Sequence, residues 1–153
     1  MKVKDVMTKD VITFDPAESI YNAARILREN RISGAPVVSD GRVVGILSET
    51  DIMKLVETPY LELNTILPSP FDIVELPIRM KFELKEAMKK IKKASSLQVK
   101  EIMTKKVFTI EPEASIEDAA KLMSRQKINR LPVVDKDGKL VGIVTRGDII
   151  GAI

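Results

Sequence analysis

Cysteine and histidine are both absent from this 153-residue chain. The first absence excludes disulfides and thiolate metal sites, and the second removes the commonest general base and zinc ligand. Most enzyme mechanisms are thereby set aside. Tryptophan is missing too, and four phenylalanines and two tyrosines bring aromatic content to only 4%, so the core is expected to be aliphatic. No apolar run approaches the roughly 18 residues of a membrane span. Met1-Lys2-Val3-Lys4-Asp5 does not resemble the apolar stretch of a signal peptide. These two features lead us to expect a cytoplasmic protein with no membrane insertion. Charge of one sign is scarcely in excess: 25 basic against 22 acidic residues leave +3, which suits an anionic partner and is equally ordinary for a soluble surface.

What the sequence does have is itself twice over. Val3-Lys4-Asp5-Val6-Met7-Thr8-Lys9 returns as Val99-Lys100-Glu101-Ile102-Met103-Thr104-Lys105. The match continues through Thr13 and Thr109, Pro16 and Pro112, Ser19-Ile20 and Ser115-Ile116, Ala23-Ala24 and Ala119-Ala120, and Pro36-Val37-Val38 and Pro132-Val133-Val134. After a one-residue insertion, Gly41, Val44-Gly45-Ile46 and Asp51-Ile52 pair with Gly138, Val141-Gly142-Ile143 and Asp148-Ile149. So long a match in a chain without low-complexity tracts marks two copies of one structural unit, over residues 1–56 and 98–153, joined by a linker over 57–97.

The periodicity within a copy predicts its elements. Ile20, Ala23, Ala24 and Leu27, like Ile116, Ala119, Ala120 and Met123, fall at the spacing of one apolar helix face, with Ser19 and Ser115 at the N-cap positions. Residues 11–13 and 107–109 read as short strands. The β-branched runs around Asp40-Gly41 and Asp137-Gly138 read as hairpins, and a second helix follows from Ser48 or Thr145. Gly45 and Gly142 interrupt the third strand, where a missing side chain admits another backbone or a ligand. The expectation is an α+β protein built of two β-α-β-β-α units, each too small to bury its sheet alone and therefore packed on the other through the strands. In the linker, Leu67-Pro68-Ser69-Pro70 and Leu76-Pro77 mark irregular chain, and a helix is predicted over about 80 to 94. Lys89-Lys90 and Lys92-Lys93 in that stretch read as a solvated face rather than a nucleic-acid contact.

Ser48-Glu49-Thr50-Asp51 and Thr145-Arg146-Gly147-Asp148 carry a hydroxyl three residues before a carboxylate, the pattern of a helix capping box. The same geometry serves a ligand, since helix N-terminal amides attract phosphate and a carboxylate accepts from ribose hydroxyls.

Val-x-x-Val-Met-Thr, then Gly-Ala-Pro-Val or Arg-Leu-Pro-Val, then Val-Gly-Ile followed by Ser/Thr-x-x-Asp together resemble the CBS domain, named after cystathionine β-synthase, in its tandem arrangement, the Bateman module. That resemblance covers nearly everything outside the linker. It implies a pseudo-twofold disc, a regulatory role, and two clefts between the repeats for AMP, ADP, ATP, S-adenosylmethionine or a related ligand. Carried over residue by residue, it assembles two composite sites. Site A would join Ile12, Thr13, Ser33, Gly34, Ala35 and Pro36 to Thr145, Arg146 and Asp148. Site B would join Phe108, Thr109, Asn129, Arg130, Leu131 and Pro132 to Ser48, Thr50 and Asp51. Backbone near Ala35 and Leu131 would meet adenine, the aspartates ribose, and Arg146 or Arg130 phosphate. Each site is expected to hold about one guanidinium. Glu49 stands at Site B where Site A has Arg146, so a polyphosphate should prefer Site A.

The resemblance also implies a homodimer, with apolar helix faces such as those ending at Leu27 and Met123 as the contact, and a separate regulated protein as partner. Three other readings compete. A nucleic-acid binder lacks the aromatic platforms such proteins use. An enzyme lacks any paired catalytic constellation or P-loop. A purely dimerising protein would leave its clefts empty.

Overall fold

Each copy of the repeat contributes one antiparallel hairpin with helices laid against it, as the computed structural model describes for residues 1–56, 85, 89, 93 and 96–153. The first copy runs α1 (Val3–Val6), α2 (Ile20–Glu29), β1 (Gly34–Ser39), β2 (Arg42–Ser48) and α3 (Glu49–Val56). The second runs α4 (Val99–Ile102), α5 (Ile116–Gln126), β3 (Arg130–Val134), β4 (Leu140–Thr145) and α6 (Arg146–Gly151). The linker helix expected over 80–94 lies outside the described residues except for Lys85, Lys89 and Lys93, which are helical and exposed. Lys90 and Lys92 lie outside them.

Local chemistry accounts for the helices and turns. Ser19 Oγ accepts from the Asn22 amide at 3.1 Å and Ser115 Oγ from the Asp118 amide at 3.0 Å, so both expected N-caps satisfy an otherwise orphaned donor. Ile20, Ala23 and Leu27 of α2, and Ala119 and Met123 of α5, are buried. The first hairpin turns at Asp40 and Gly41, both at positive φ (53° and 77°), as a two-residue turn matched to strand twist requires. Its counterpart absorbs the inserted residue differently: the Asp135 carboxylate accepts from the amides of Asp137 and Lys139, each at 2.9 Å, and only Gly138 is left-handed, at 79°.

The predicted first strand of each copy is not formed. Residues 11–13 and 107–109 carry no ladder, and pairing is reduced to one parallel bridge per copy, Phe14 with Val37 and Ile110 with Val133. A proline two residues beyond each bridge has no amide to continue a ladder. The unit is therefore α-α-β-β-α, opened by a short helix where the sequence reading placed none.

Those opening helices are exchanged between the copies. Thr8 pairs with Ile143 of β4, by amide-to-carbonyl bonds of 2.9 Å in both directions, and Thr104 pairs with Ile46 of β2 at 2.8 and 3.0 Å. Val3, wholly buried, belongs to the core of Ile110, Ala119, Met123, Leu131, Val133, Val144 and Ile149. Val99, equally buried, belongs to the core of Phe14, Ile20, Ala23, Leu27, Ala35, Val37 and Leu47. Each buried valine contributes about 2 kcal/mol. Gly45 and Gly142 make the exchange possible: a Cβ on Gly45 would stand 3.1 Å from the Thr104 carbonyl oxygen and crowd Met103, and one on Gly142 would stand 3.0 Å from that of Thr8 and crowd Met7. The close approach expected at these glycines is thus that of the other copy's backbone. The hairpins also meet directly at their tips, where the Leu140 amide donates to the Gly41 carbonyl at 3.0 Å.

Candidate ligand clefts between the repeats

Because the chain leaves the other copy's sheet at Thr8 and reaches its own at Phe14, the segment between them crosses the seam, and segment 104–110 does the same in reverse. Each crossing segment forms the wall of a cleft. Cleft A, about 630 Å³, takes Thr8, Asp10, Val11 and Ile12 from the crossing chain, Arg31 to Gly34 and Pro36 from the first copy, and Ile143, Thr145 and Arg146 from the second. Cleft B, about 400 Å³, takes Thr104, Lys106 and Phe108 from the other crossing chain, Ser48 to Asp51 from the first copy, and Lys127 and Ile128 from the second.

Of the residues assigned to Site A, the fold brings Ile12, Ser33, Gly34, Pro36, Thr145 and Arg146 to one cleft. Thr13 is exposed beyond its wall and Ala35 is turned into the core. Of those assigned to Site B, Ser48, Thr50, Asp51, Phe108, Asn129 and Arg130 come together. Thr109 is exposed away from the wall, and Leu131 and Pro132 are fully buried in the core. Ala35 and Leu131 stand at equivalent positions of β1 and β3, and each turns its side chain into the core of its own copy.

The two aspartates differ. Asp51 is buried: its Oδ2 accepts from the amide and hydroxyl of Ser48 at 3.0 and 3.1 Å, while its Oδ1 accepts from the Thr104 hydroxyl at 3.0 Å. Asp148 is half-buried behind the wall of cleft A. Its Oδ2 accepts from the Thr145 amide at 2.8 Å, and its own amide donates to Thr145 Oγ at 3.2 Å. The capping-box reading therefore holds in both copies. The first helical amides are occupied as well, Glu49 donating to the Ser33 carbonyl at 2.8 Å and Arg146 to the Asn129 carbonyl at 2.9 Å. Side-chain cations, more than helix ends, are what these clefts offer an anion.

Those cations are distributed otherwise than expected. The guanidinium of Arg130 donates to Ser33 Oγ and fills the space that Gly34 leaves by lacking a Cβ, so Arg130 lines both clefts. Burial lowers its pKa from the ordinary arginine value, opposed by the Glu49 and Asp51 carboxylates. Cleft A thereby holds three guanidinium groups, Arg31, Arg130 and Arg146, with Asp10 as its nearby acid. Cleft B sets Lys106, Lys127 and Arg130 against Glu49 and Asp51. Lys106 Nζ also lies 5.6 Å from the centre of the Phe108 ring, within cation–π range.

Arg31 and Lys127 were not singled out in the sequence. They occupy equivalent positions, each left-handed (φ 54° and 56°) where its helix gives way to a strand. The signal was a basic residue before isoleucine in both copies, Arg31-Ile32 and Lys127-Ile128. Among the described residues no helix is long and apolar enough to cross a membrane, and no cluster of three acidic, histidine or cysteine side chains is placed to hold a metal ion.

Comparison with known proteins agrees with this architecture. The family model for the CBS domain matches residues 3–58 and again 99–153. An uncharacterised protein of Methanocaldococcus jannaschii, MJ1426, is 47% identical over 154 residues, spanning 100% of this chain and 91% of its own. The crystal structure of CBSX2, a CBS-pair protein of Arabidopsis thaliana, in complex with AMP superposes with a TM-score of 0.70 at 30% identity, covering 99% of this chain and 94% of that one. The CBS domain pair of protein MJ0100, in complex with 5′-methylthioadenosine and S-adenosyl-L-methionine, superposes with a TM-score of 0.69 at 28% identity, covering 99% and 98%. With both repeats matched and folded into one another across a common seam, this chain belongs to the CBS-domain family, as a tandem CBS pair.

Proposed function

We propose that this CBS pair is a regulatory, non-catalytic sensor that binds an adenosine derivative, AMP, ADP, ATP or S-adenosylmethionine, in the clefts along its seam. The observation that carries this reading is the make-up of cleft A, a groove built from both copies with three guanidinium groups facing one carboxylate. That excess of positive charge suits a phosphorylated ligand. The apolar side chains of Val11, Ile12, Ile143 and Ile150 offer the base an apolar surface. Two CBS pairs of similar structure are solved with AMP and with 5′-methylthioadenosine and S-adenosyl-L-methionine, which supports adenosine as the common element.

In this reading ligands join the two copies more tightly, and the change passes to a separate regulated protein. Calorimetry and thermal melting with AMP, ATP and S-adenosylmethionine test it. We expect saturable binding of at least one, with Tm rising as ligand is added. No heat and no shift with any of them would overturn it.

We also propose a homodimer, by other surfaces than those the sequence suggested. Leu27 and Met123 are buried inside their own cores at 2% and 3% exposure and are not free to pair. Among the described residues, three large apolar helix side chains are left outside: Tyr21 on α2 at 64% and, at equivalent repeat positions, Met53 on α3 and Ile150 on α6 at 55% and 64%. Twofold pairing through α3 and α6 would cover Met53 and Ile150. Sedimentation of the wild type and of Met53→Lys/Ile150→Lys tests it, a dimer lost in the variant being the expected result.

A further inference from the structure

The two clefts share a wall, and the wall contains one cation. Ser33, Asn129 and Arg130 each line both cavities. Ser33 and Asn129 are equivalent positions of the repeat, as are Gly34 and Arg130, so strict symmetry would have given the wall either two arginines or none. The chain has instead a glycine on one side and, in the room it leaves, the guanidinium from the other. A Cβ at Gly34 would collide with that guanidinium and stand 3.0 Å from the Leu47 carbonyl oxygen. Two hydrogen bonds hold the wall together: Arg130 donates to Ser33 Oγ, and Arg146 donates to Asn129 Oδ1 at 3.3 Å.

From this arrangement we infer that the clefts are negatively coupled for phosphorylated ligands, because Arg130 is a single phosphate-binding group that serves whichever cleft fills first. The inference rests on the adenosine-ligand reading above and adds a rule for how the sites fill. A guanidinium that turns from Ser33 to pair with a phosphate in one cleft presents its planar donors to that side. The second cleft then loses a cation and faces, across a thin wall, the first ligand's negative charge. In cleft B the loss leaves Lys106 and Lys127 against Glu49 and Asp51, and in cleft A it leaves Arg31 and Arg146 against Asp10. A ligand without phosphate makes no demand on Arg130, so adenosine should fill the two clefts independently.

The test compares the full chain with variants in which one cleft is plugged. Ile12→Trp fills cleft A and Thr50→Trp fills cleft B, since each residue lines only that cleft. Gly147→Trp is a second plug for cleft A, at a position where an added Cβ meets nothing closer than 3.6 Å. Calorimetry with AMP on the plugged chains gives each cleft's own affinity. We expect the second AMP step of the wild type to be weaker than the weaker of these by at least about fivefold, the lower end of ordinary site-to-site coupling. With adenosine the wild-type steps should match the single-cleft values. Arg130→Gln should weaken AMP and abolish the difference.

A second AMP step equal to or tighter than the single-cleft value would overturn the coupling while leaving the sensor reading intact. So would a deficit that appears equally with adenosine or persists in Arg130→Gln. Failure of both AMP and adenosine to bind the wild type would remove the sensor reading itself and the coupling with it.

Discussion

Thr104 donates its hydroxyl to Oδ1 of Asp51 at 3.0 Å, tying the crossing segment of one copy to the helix start of the other across cleft B. The equivalent pair, Thr8 and Asp148, makes no such bond among the described residues. The consequence is an inequality between the sites. A ribose hydroxyl entering cleft B to reach Asp51 meets a carboxylate that already holds an internal donor on each oxygen.

Thr104→Val tests whether that bond guards the cleft. Removing the hydroxyl strips a buried carboxylate of one donor, and the expected cost is about 1–3 kcal/mol. The same change releases Oδ1 for a ligand. The ligand-free variant should therefore melt below wild type, while saturating AMP or adenosine should raise its Tm by more than it raises that of wild type. Thr8→Val, with no such bond to lose, should do neither. Equal behaviour of the two variants would mean that the bond has no part in ligand entry.

Gly45 and Gly142 are buried against the other copy's crossing segment, and an added methyl group there should be costly. The carbonyl oxygens of Thr104 and Thr8 lie 3.1 and 3.0 Å from where an alanine Cβ would stand. Those carbonyls are fixed by the bridges to Ile46 and Ile143. Met103 and Met7 can move aside, but the backbone cannot without loosening the bridge. Gly45→Ala and Gly142→Ala should each lose about 1–3 kcal/mol in urea unfolding. Serine at the same positions should cost at least as much.

Glu113 supplies a pH dependence. Hydrogen bonds from Lys2 and then Lys4, at 2.5 and 2.6 Å, hold its pKa down to about 2 from an ordinary 4.5. A carboxylate with a lowered folded-state pKa contributes stability that is present in full above about 4.5 and lost as the pH falls toward 2. All three side chains are exposed to solvent, so the contribution is small and screened by salt. Glu113→Gln should flatten the fall in the urea midpoint between pH 4.5 and 2. In high salt wild type and variant should converge.

Much of this was legible in the sequence because it is local. Ser19 and Ser115 announce their helices, Asp40-Gly41 its turn, and the i, i+3, i+4, i+7 spacing of Ile20 to Leu27 its buried face. The composite nature of the clefts was legible through the family resemblance, and six of nine residues at each site came together. What was not legible is which core a side chain enters. The apolar pattern of Val3 and Val99 states that they are buried, yet nothing in it says that each is buried in the other copy. The reach of Arg130 beyond cleft B into cleft A was not legible for a related reason: a long side chain beside an unmatched glycine reaches as far as the space allows, and that space exists only after the copies meet. Arg31 and Lys127 were visible as repeated cations but lay at helix ends, where charge is ordinarily solvated.

The exchange of opening segments makes a prediction about independence. Residues 1–56 hold one whole repeat by sequence, but the core of Phe14, Ile20 and Leu27 is completed by Val99, and that of Met123 and Leu131 by Val3. A fragment ending at residue 56 therefore lacks a wholly buried side chain and the Ile46–Thr104 bridge, while a fragment beginning at 98 lacks Val3 and the bridge from Thr8. Small units have little margin for such a loss. Each fragment alone should show weak helical circular dichroism and no cooperative melt. Mixed in equal amounts they should recover both, because each brings the segment the other needs. Within the full chain, Val3→Ala and Val99→Ala should each cost about 2 kcal/mol. Their effects should divide by core, with Val3→Ala raising amide exchange in α5 and β3, and Val99→Ala in α2 and β1. A cooperative transition from either fragment alone would show that a copy is stable without the segment the other supplies, and would overturn this prediction.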